Sequence, residues 1–384
     1  MCTAANWPLR IFPVFDIACS SDAALRMPEP MSDVVRSLQQ RVRTSAAAKT
    51  PLAIRAGGTK EFYGNAAQVS CDVLDPRPYS GVIDYEPTEL VVTACSGTPL
   101  SEIEAALAEH NQMLAFEPPH FGPSATLGGV VASGLAGPRR MAAGSIRDSV
   151  LGTTLLDGRG NVLTFGGNVM KNVAGYDVSR ALAGSLGTLG VLLDVSLKVL
   201  PRPPLERTLQ CESTEADAIR RANEWAGQPL PISATAWFDG ALHVRLSGSK
   251  SGVHAARTRL GGGMAEADGQ VWLALREQTH AFFTASKGAT LWRLSVPPTA
   301  APLQLGTTLI EWRGAQRWVW SAAPASEIRA KVEASGGHAT AFRHALGAAV
   351  FHPLPPTLTS IHRRLKDEFD PARIFNPGRM VPDV

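Results

Sequence analysis

The stretch from Phe116 to Asp148 reads FEPPHFGPSATLGGVVASGLAGPRRMAAGSIRD and carries six glycines separated mostly by small residues. It offers few large side chains for a core, yet apolar residues such as Leu127 and Val131 recur too regularly for a flexible linker. Because glycine lacks a Cβ, the main chain here can approach another surface closely. Successive main-chain N–H groups at such bends bind anions, phosphate above all. The stretch therefore predicts a backbone held against a large ligand, and close packing of backbone on backbone is the alternative.

Two other glycine-rich stretches, Ile54–Gly64 (IRAGGTKEFYG) and Val169–Gly190 (VMKNVAGYDVSRALAGSLGTLG), lie in the same half of the chain. Three such stretches together favour one long ligand cradled along its length. In the first of them, a strand candidate over 51–55 runs into a glycine turn that carries a hydroxyl and a cation, a layout suited to phosphate. The turn is not a Walker loop, and the run Gly184–Gly190 has the pattern G-x-x-G-x-x-G, which does not support a Rossmann fold.

Composition narrows the class of protein further. The 384 residues are enough for two domains, and 45% hydrophobic with 18% charged residues is typical of a globular chain. A net charge of +3 gives no steering toward nucleic acid. No apolar run approaches the roughly 20 residues that span a bilayer. The five cysteines are odd in number and form no C-x-x-C, which argues against a disulfide framework and against an iron–sulfur cluster in this chain, and fits a reducing cytoplasm.

Local patterns predict where the main elements and boundaries fall. A helix is expected over Ser32–Arg43, capped by Ser32, and a hairpin is expected around Asp157–Gly160. Three prolines within Pro201–Pro204 stiffen the chain and mark a domain boundary. Beyond them, alternating strand and helix patterns fit an α+β sandwich. The parts expected are a loosely ordered extension over 1–30, a first domain over 31–203, a second domain over 204–355, and a C-terminal helix and tail over 356–384.

Several ordered segments carry a resemblance to a known family; they are Pro51–Gly64, Tyr85–Thr93, Phe116–Asp148, Lys171–Leu200 and Phe369–Gly378. In these segments the chain resembles flavoproteins with the vanillyl-alcohol-oxidase, or PCMH-type, FAD domain, and most closely the FAD-binding subunits of bacterial glycolate oxidases. The resemblance implies an α+β fold. A two-part PCMH-type FAD-binding domain would occupy 31–203, and a smaller ferredoxin-like α/β sandwich would form the cap domain over 204–355. The tail would return to pack on the FAD domain.

The resemblance also implies where FAD binds. The loop Arg55–Lys60 would wrap the pyrophosphate, and Ser124–Gly134 would run along the pyrophosphate, ribityl chain and flavin. Arg147-Asp148 and Gly190-Val191 would lie toward the adenine and ribityl side. Asn172 and Tyr176, with Lys171 beside them, would either approach the flavin or order their own turn. The cofactor-binding residues expected are Arg55, Ala56, Gly57, Gly58, Thr59, Lys60, Pro118, Ser124, Ala125, Thr126, Gly128, Gly129, Ser133, Gly134, Arg147, Asp148, Asn172, Tyr176, Gly190 and Val191.

The family pattern further bears on how the flavin is held and whether a metal is present. Some members attach the flavin through a histidine in the first loop, whereas this loop reads Thr59-Lys60-Glu61, so non-covalent FAD is expected. Members that oxidise D-2-hydroxy acids alone carry closely spaced histidines with a neighbouring glutamate in the second domain. Here His338 and His344 are six positions apart, and beyond residue 204 no His-x-His or Glu-His pair occurs. No metal site is expected, and independent turnover is in doubt.

The hypothesis that follows is an FAD-binding subunit of a multi-subunit glycolate oxidase that acts on a small 2-hydroxy acid. A paralogous flavin subunit would hold the main substrate site and an iron–sulfur subunit would take the electrons. The complex would be cytoplasmic, with peripheral association at the inner face of the membrane through its partners. One alternative is a self-sufficient 2-hydroxy-acid oxidase or dehydrogenase, in which Arg363, Arg364 or Arg379 would bind the substrate carboxylate. Another alternative is a structural docking module whose FAD never turns over. No catalytic residue is assigned.

Overall fold

The structure is a computed structural model that describes residues 29–66, 69–167, 177–261, 263–285, 288–344 and 349–382. Two larger sheets organise these residues, one built before residue 200 and the other after it. Within the same ranges, no helix combines the length and the apolar character that crossing a bilayer requires.

The first part of the chain folds around a five-stranded antiparallel sheet. The helices are α1 (Glu29–Ala48), α2 (Leu100–Glu109), α3 (Leu127–Ser133), α4 (Arg140–Ala143), α5 (Ile146–Ser149) and α6 (Val178–Leu182). The strands are β1 (Leu52–Ile54), β2 (Asp72–Leu74), β3 (Val82–Glu86), β4 (Val91–Cys95), β5 (Gln112–Met113), β6 (Val150–Leu156), β7 (Val162–Gly166), β8 (Val191–Lys198) and β9 (Leu200–Pro201). The sheet order is β3-β4-β8-β6-β7, while β1 pairs with β2 in parallel and β5 pairs with β9. The predicted hairpin is confirmed as β6 and β7.

Both faces of this sheet are covered, which fits the burial of six of the eight residues of β8. Helices α2 and α3 pack on one face through residues such as Ile103 and Val131. Helix α1 packs on the other face through Leu38 and Val42. The predicted start of α1 is wrong, because the helix already begins at Glu29 and includes Pro30, which a first helical turn tolerates.

The second part forms an eight-stranded antiparallel sheet. Its strands are β10 (Leu205–Glu212), β11 (Ile232–Phe238), β12 (Ala241–Gly248), β13 (Ala265–Glu266), β14 (Thr290–Ser295), β15 (Thr307–Glu311), β16 (Gln316–Ser321) and β17 (His338–Arg343). Its helices are α7 (Glu215–Ala226), α8 (Lys250–Leu260), α9 (Gln270–Arg276), α10 (Ala281–Thr284) and α11 (Ala325–Ala334), and α12 (Pro356–Phe369) follows the sheet. The order is β13-β10-β12-β11-β15-β16-β14-β17.

This order contains a repeat that the sequence did not predict. The run β10-α7-β11-β12-α8-β13 follows the ferredoxin-like β-α-β-β-α-β pattern. The strands β14 to β17 take the mirror-image order on the other side, and the two four-stranded units join edge to edge where β11 pairs with β15. The sheet therefore consists of two units with ferredoxin-like strand order side by side, and in the second unit a loop over 296–306 replaces the first helix.

The C-terminal tail returns to the first part of the fold, as predicted. The main-chain N–H of Leu52 donates to the carbonyl of Ile374 at 2.7 Å, and the N–H of Asn376 donates to the carbonyl of Leu52 at 2.9 Å. Phe375 is fully buried in the same apolar cluster as Leu52. The tail thus extends the small β1–β2 layer and borders the groove described next.

Candidate cofactor-binding groove

A groove of about 330 Å³ lies where β1 ends, between α3 and the C-terminal tail. This volume is in the range of small-molecule sites in proteins. Its walls come from five separate stretches of the chain, which the fold brings together. They are lined by Ala53, Ile54, Arg55, Ala56, Gly57, Gly58, Thr59, Lys60, Glu61, Tyr63, Cys71, Val73, Thr126, Gly129, Ala132, Ser133, Leu186, Asn376, Pro377 and Arg379.

The two loops that the sequence singled out touch each other beside this groove. A Cβ added at Gly57 would lie 1.6 Å from the carbonyl oxygen of Ser124, so only glycine allows this approach. The Ser124 hydroxyl donates to the Gly57 carbonyl at 2.7 Å, which fixes the two loops together. At this position the glycine serves backbone-on-backbone packing, the alternative that the sequence left open.

Main-chain N–H groups in the first loop are left without protein partners. In the described part of the chain, the N–H groups of residues 56 to 60 donate to no main-chain or side-chain acceptor. Gly58 has a left-handed φ of +70°, and an added Cβ there would come no nearer than 3.9 Å to the rest of the protein. A run of free N–H groups around a left-handed residue is a concavity suited to an anion such as a pyrophosphate.

The second groove-facing glycine is Gly129, in the first turn of α3. Thr126 caps this helix, and its hydroxyl accepts the Gly129 N–H at 3.4 Å. A Cβ at Gly129 would meet Thr126 Oγ1 at 3.4 Å, an ordinary contact, so a small side chain would fit and a larger one would enter the groove. By contrast, the preceding Gly128 faces inward, where a Cβ would lie 2.8 Å from that of Ser96.

The charged side chains of the first loop are engaged by protein groups. Arg55 pairs with Glu61, and both side chains are about half exposed. The Lys60 ammonium is buried and donates to the His120 carbonyl at 3.2 Å and to Thr59 Oγ1 at 3.3 Å. Burial lowers the pKa of Lys60 to about 8. Lys60 therefore lines the groove while its ammonium links this loop to the loop that contains His120.

The C-terminal tail supplies groove residues that were not expected at the cofactor; the sequence analysis named Arg379 only as a carboxylate ligand in the self-sufficient alternative. Asn376 accepts the Ile54 N–H at 2.9 Å and donates to the Leu186 carbonyl at 2.7 Å, so one side chain joins three groove segments. Arg379 donates to the Tyr63 carbonyl at 3.0 Å and to the Glu61 carbonyl at 2.6 Å. The closing motif around Phe375-Asn-Pro-Gly was the available signal, since it carried the family resemblance without being assigned a role.

Other sequence-predicted residues lie outside the groove. Pro118, Ala125, Gly190 and Val191 are buried among protein atoms, and Gly128 is half-buried. Gly134 ends α3 with a φ of +65°, where a Cβ would lie 2.9 Å from the Cα of Gly184. Arg147 lines a separate cavity of about 100 Å³ with His362 and Met380.

Asp148 also faces away from the groove. Its carboxylate accepts from the Ser145 N–H at 2.7 Å and from the Ser145 hydroxyl at 2.8 Å, and these bonds hold its pKa below the usual range. Asn172 and Tyr176 lie outside the described residues.

The groove fits a long ligand with an anionic portion and flat apolar portions. Residues 56 to 60, whose N–H groups have no protein acceptor, line it together with apolar side chains such as Ile54 and Leu186. Val73 leaves 45% of its surface exposed although it lines the groove, so apolar surface is present that a planar ring could cover. Within the described ranges, no cluster of three or more His, Cys, Asp or Glu residues is arranged to hold a metal ion. The residues present thus suit a dinucleotide such as FAD.

Comparisons with known proteins point to the same ligand. Residues 33–166 match a family model described as an FAD binding domain. The chain is 48% identical over 353 residues to the glycolate oxidase subunit GlcE of Escherichia coli, covering 92% of this chain and 99% of that protein. It is 28% identical over 171 residues to the glycolate oxidase subunit GlcD of Bacillus subtilis, covering 44% of this chain and 36% of that protein.

Among solved structures, an alkyldihydroxyacetonephosphate synthase shares the fold. Its TM-score is 0.62 at 15% identity, and the match covers 89% of this chain and 74% of that chain. At this identity the likeness shows the fold alone, and that fold agrees with the α+β architecture predicted from the sequence.

Proposed function

Because this chain belongs to the family of the glycolate oxidase subunit GlcE, we propose that it is an FAD-binding subunit of a glycolate oxidase and takes part in oxidising glycolate to glyoxylate. The family resemblance predicted from the sequence is confirmed by the 48% identity over nearly the whole of both chains. The observation that carries the proposal is the groove, which is lined both by residues 56 to 60, with N–H groups that have no protein acceptor, and by Gly129 of α3.

The residues that would hold FAD are those that line this groove. The N–H groups of the first loop would bind the pyrophosphate, and Thr126, Gly129 and Ser133 would border the cofactor on the side of α3. Asn376 would fix the groove walls rather than the cofactor, because its amide is already bonded to Ile54 and Leu186. When bound, FAD accepts a hydride from a hydroxyl-bearing carbon and passes electrons on singly.

The other predicted residues would act indirectly. Gly57, Gly128 and Gly134 allow backbone approaches that shape the groove, and Gly190 and Val191 belong to the core behind it. We also propose that the boundary between the FAD-binding part and the cap part falls at residues 203 and 204, where the chain leaves the first sheet and enters the second.

We propose that FAD is bound without a covalent bond. The first loop reads Arg-Ala-Gly-Gly-Thr-Lys-Glu over residues 55–61 and has no histidine at which a flavin is attached in some family members. The contacts that the groove offers are hydrogen-bonding N–H groups and apolar walls. A cofactor held in this way leaves the protein when the fold is lost.

We propose that the chain works within a multi-subunit complex. The relatives of Escherichia coli and Bacillus subtilis are each named as a subunit of a glycolate oxidase. In this proposal a paralogous flavin subunit holds the main substrate site and an iron–sulfur subunit receives the electrons. The complex would sit at the inner face of the membrane through those partners.

An absorbance spectrum of the purified chain tests the cofactor. We expect a flavin spectrum, and after acid precipitation we expect the flavin in the supernatant, because unfolding destroys the groove. Yellow colour that stays with the pellet would contradict non-covalent binding. A chain that shows no flavin and takes none up from added FAD would overturn the proposed function.

Anaerobic addition of glycolate to the native chain tests the subunit proposal. We expect the flavin to stay oxidised in the isolated chain and to be reduced after the paralogous flavin subunit and the iron–sulfur subunit are added. Reduction of the isolated chain would instead favour a self-sufficient oxidase. A flavin that stays oxidised in the assembled complex during turnover would favour a structural docking role.

A further inference from the structure

The loop from Phe116 to Ser124 is held by a carboxylate from the second sheet's side of the molecule. Glu277 accepts the main-chain N–H of His120 at 3.1 Å and that of Phe121 at 2.9 Å. Phe121 has a left-handed φ of +54°. Successive N–H groups at such a residue form an anion-binding concavity, and here a protein carboxylate fills it.

Glu277 is itself fixed by its surroundings. It directly follows α9, and its side chain is only 18% exposed. Arg276 donates from Nε to Glu277 Oε1 at 2.7 Å. Helix α9 is anchored to β10, because the buried Trp272 indole donates to Thr208 Oγ1 at 2.9 Å. The position of this carboxylate is therefore set by the second sheet.

From the His120 loop, direct contacts lead to the groove. Lys60 donates to the His120 carbonyl at 3.2 Å. A Cβ on Gly122 would lie 3.3 Å from the Thr59 methyl carbon, so the two loops also pack closely there. Ser124 donates to the Gly57 carbonyl at 2.7 Å. Each of these contacts joins the loop that Glu277 holds to the loop whose N–H groups line the groove.

We propose that Glu277 is a positioning residue for FAD: it fixes the His120 loop and, through it, the pyrophosphate-facing loop, so that the second sheet's part of the molecule sets cofactor affinity. This inference rests on the proposed FAD-binding function. Glu277 does not line the groove, so it acts through Lys60 and the two loops.

We expect FAD affinity to depend on pH, because the charge of Lys60 does. Burial lowers the pKa of Lys60 to about 8, and the Glu277 carboxylate opposes that effect. Three other charged groups surround Lys60 and Glu277. Glu104 pairs with the His120 imidazole at 3.0 Å, and Arg276 contacts both Glu104 and Glu277. Arg343 lies over the Phe121 ring. Below pH 8 the protonated Lys60 attracts the pyrophosphate, and above it this attraction is lost. FAD affinity should therefore fall as pH rises through about 8.

The test is the dissociation constant of FAD, measured by quenching of flavin fluorescence between pH 6.5 and 9.5. For E277Q we expect Kd at pH 7 to rise about tenfold, and the midpoint of the pH dependence to move to lower pH, because Lys60 loses its neighbouring carboxylate. E327Q removes an exposed carboxylate of α11 and is the matched control, expected to behave as wild type. A merely structural effect of E277Q would weaken binding without moving the midpoint.

A second variant keeps the inference testable if E277Q folds poorly. K60M should abolish the change in FAD affinity around pH 8, and retention of that pH dependence would overturn the role given to Lys60. If wild type binds FAD and E277Q matches E327Q in both Kd and midpoint, the inference about Glu277 is wrong while the proposed function stands. If wild type binds no FAD, the proposed function itself fails.

Discussion

Gly129→Leu is expected to abolish FAD retention during purification while the chain stays folded. Gly129 lies in the first turn of α3 and faces the groove, and a Cβ there meets the protein only in an ordinary contact at 3.4 Å. The rest of a leucine side chain would then occupy space that the cofactor needs. Overpacking of this kind costs about 1–3 kcal/mol, here taken from the free energy of FAD binding. We therefore expect FAD Kd to rise roughly 10- to 100-fold.

Gly129→Ala is the matched control for this variant. Alanine favours the helix over glycine by about 1 kcal/mol, so the thermal midpoint should stay equal or rise. Together the two variants distinguish an effect on folding from an effect on cofactor binding. Both add a Cβ, but only the leucine side chain extends beyond it into the groove. The measurements are flavin content per chain, FAD Kd by fluorescence, and circular dichroism. Full flavin in the leucine variant would mean that this groove does not hold the cofactor.

Lys366→Met is expected to lower the free energy of unfolding by about 3–5 kcal/mol, the usual cost of leaving a buried charge without its partner. Lys366 and Asp370 are both fully buried and pair at 2.8 Å. The ammonium also donates to the carbonyls of Thr188 and Phe375, each at 2.7 Å. Methionine would remove the ammonium from these two carbonyls and leave the buried carboxylate without a compensating positive charge.

We expect the Lys366→Met substitution to disturb the groove as well as the core. Asp370 accepts the N–H groups of Ile374 and Phe375, and the tail then continues to Asn376, which joins the groove walls. We therefore expect Lys366→Met to lower the urea midpoint and also to weaken FAD retention. Lys331→Met changes an exposed lysine of α11 and should leave both quantities nearly unchanged. Wild-type stability of Lys366→Met would contradict the role assigned to this buried pair.

The double variant Lys366→Met, Asp370→Asn tests the cause of the loss. Removing both charges takes away the uncompensated carboxylate, while the asparagine oxygen can still accept one of the two main-chain N–H groups. We expect it to recover part of the stability that the single variant loses. A double variant that is less stable than the single one would show that packing, and not charge, explains the loss.

Paired glycines show what sequence reasoning could not decide. Gly57-Gly58 and Gly128-Gly129 were all expected at the cofactor, but in each pair a Cβ on the first glycine would run into protein atoms, while a Cβ on the second would make no contact closer than 3.4 Å. The direction in which a missing Cβ would point depends on φ, ψ and the neighbouring segment, and these are set only after folding. A substitution at Gly58 would strain the backbone as well as fill the groove, because the φ of Gly58 is +70°. Gly129 is therefore the better position at which to test whether the groove holds the cofactor.

The sequence by itself determined the family, the α+β class, the hairpin at β6 and β7, and the loops that border the groove. These follow from local patterns, because turn residues, glycine runs and apolar periodicity act over a few neighbouring positions. Only the tertiary structure decided that Asn376 closes the groove, that Glu277 holds the His120 loop, and that two units with ferredoxin-like strand order share one sheet. The groove residues bonded to the Asn376 side chain and the His120-loop residues bonded to Glu277 lie more than 150 positions away along the chain. Contacts of that separation leave no periodic signal in the sequence, and they are fixed by the packing of the whole chain.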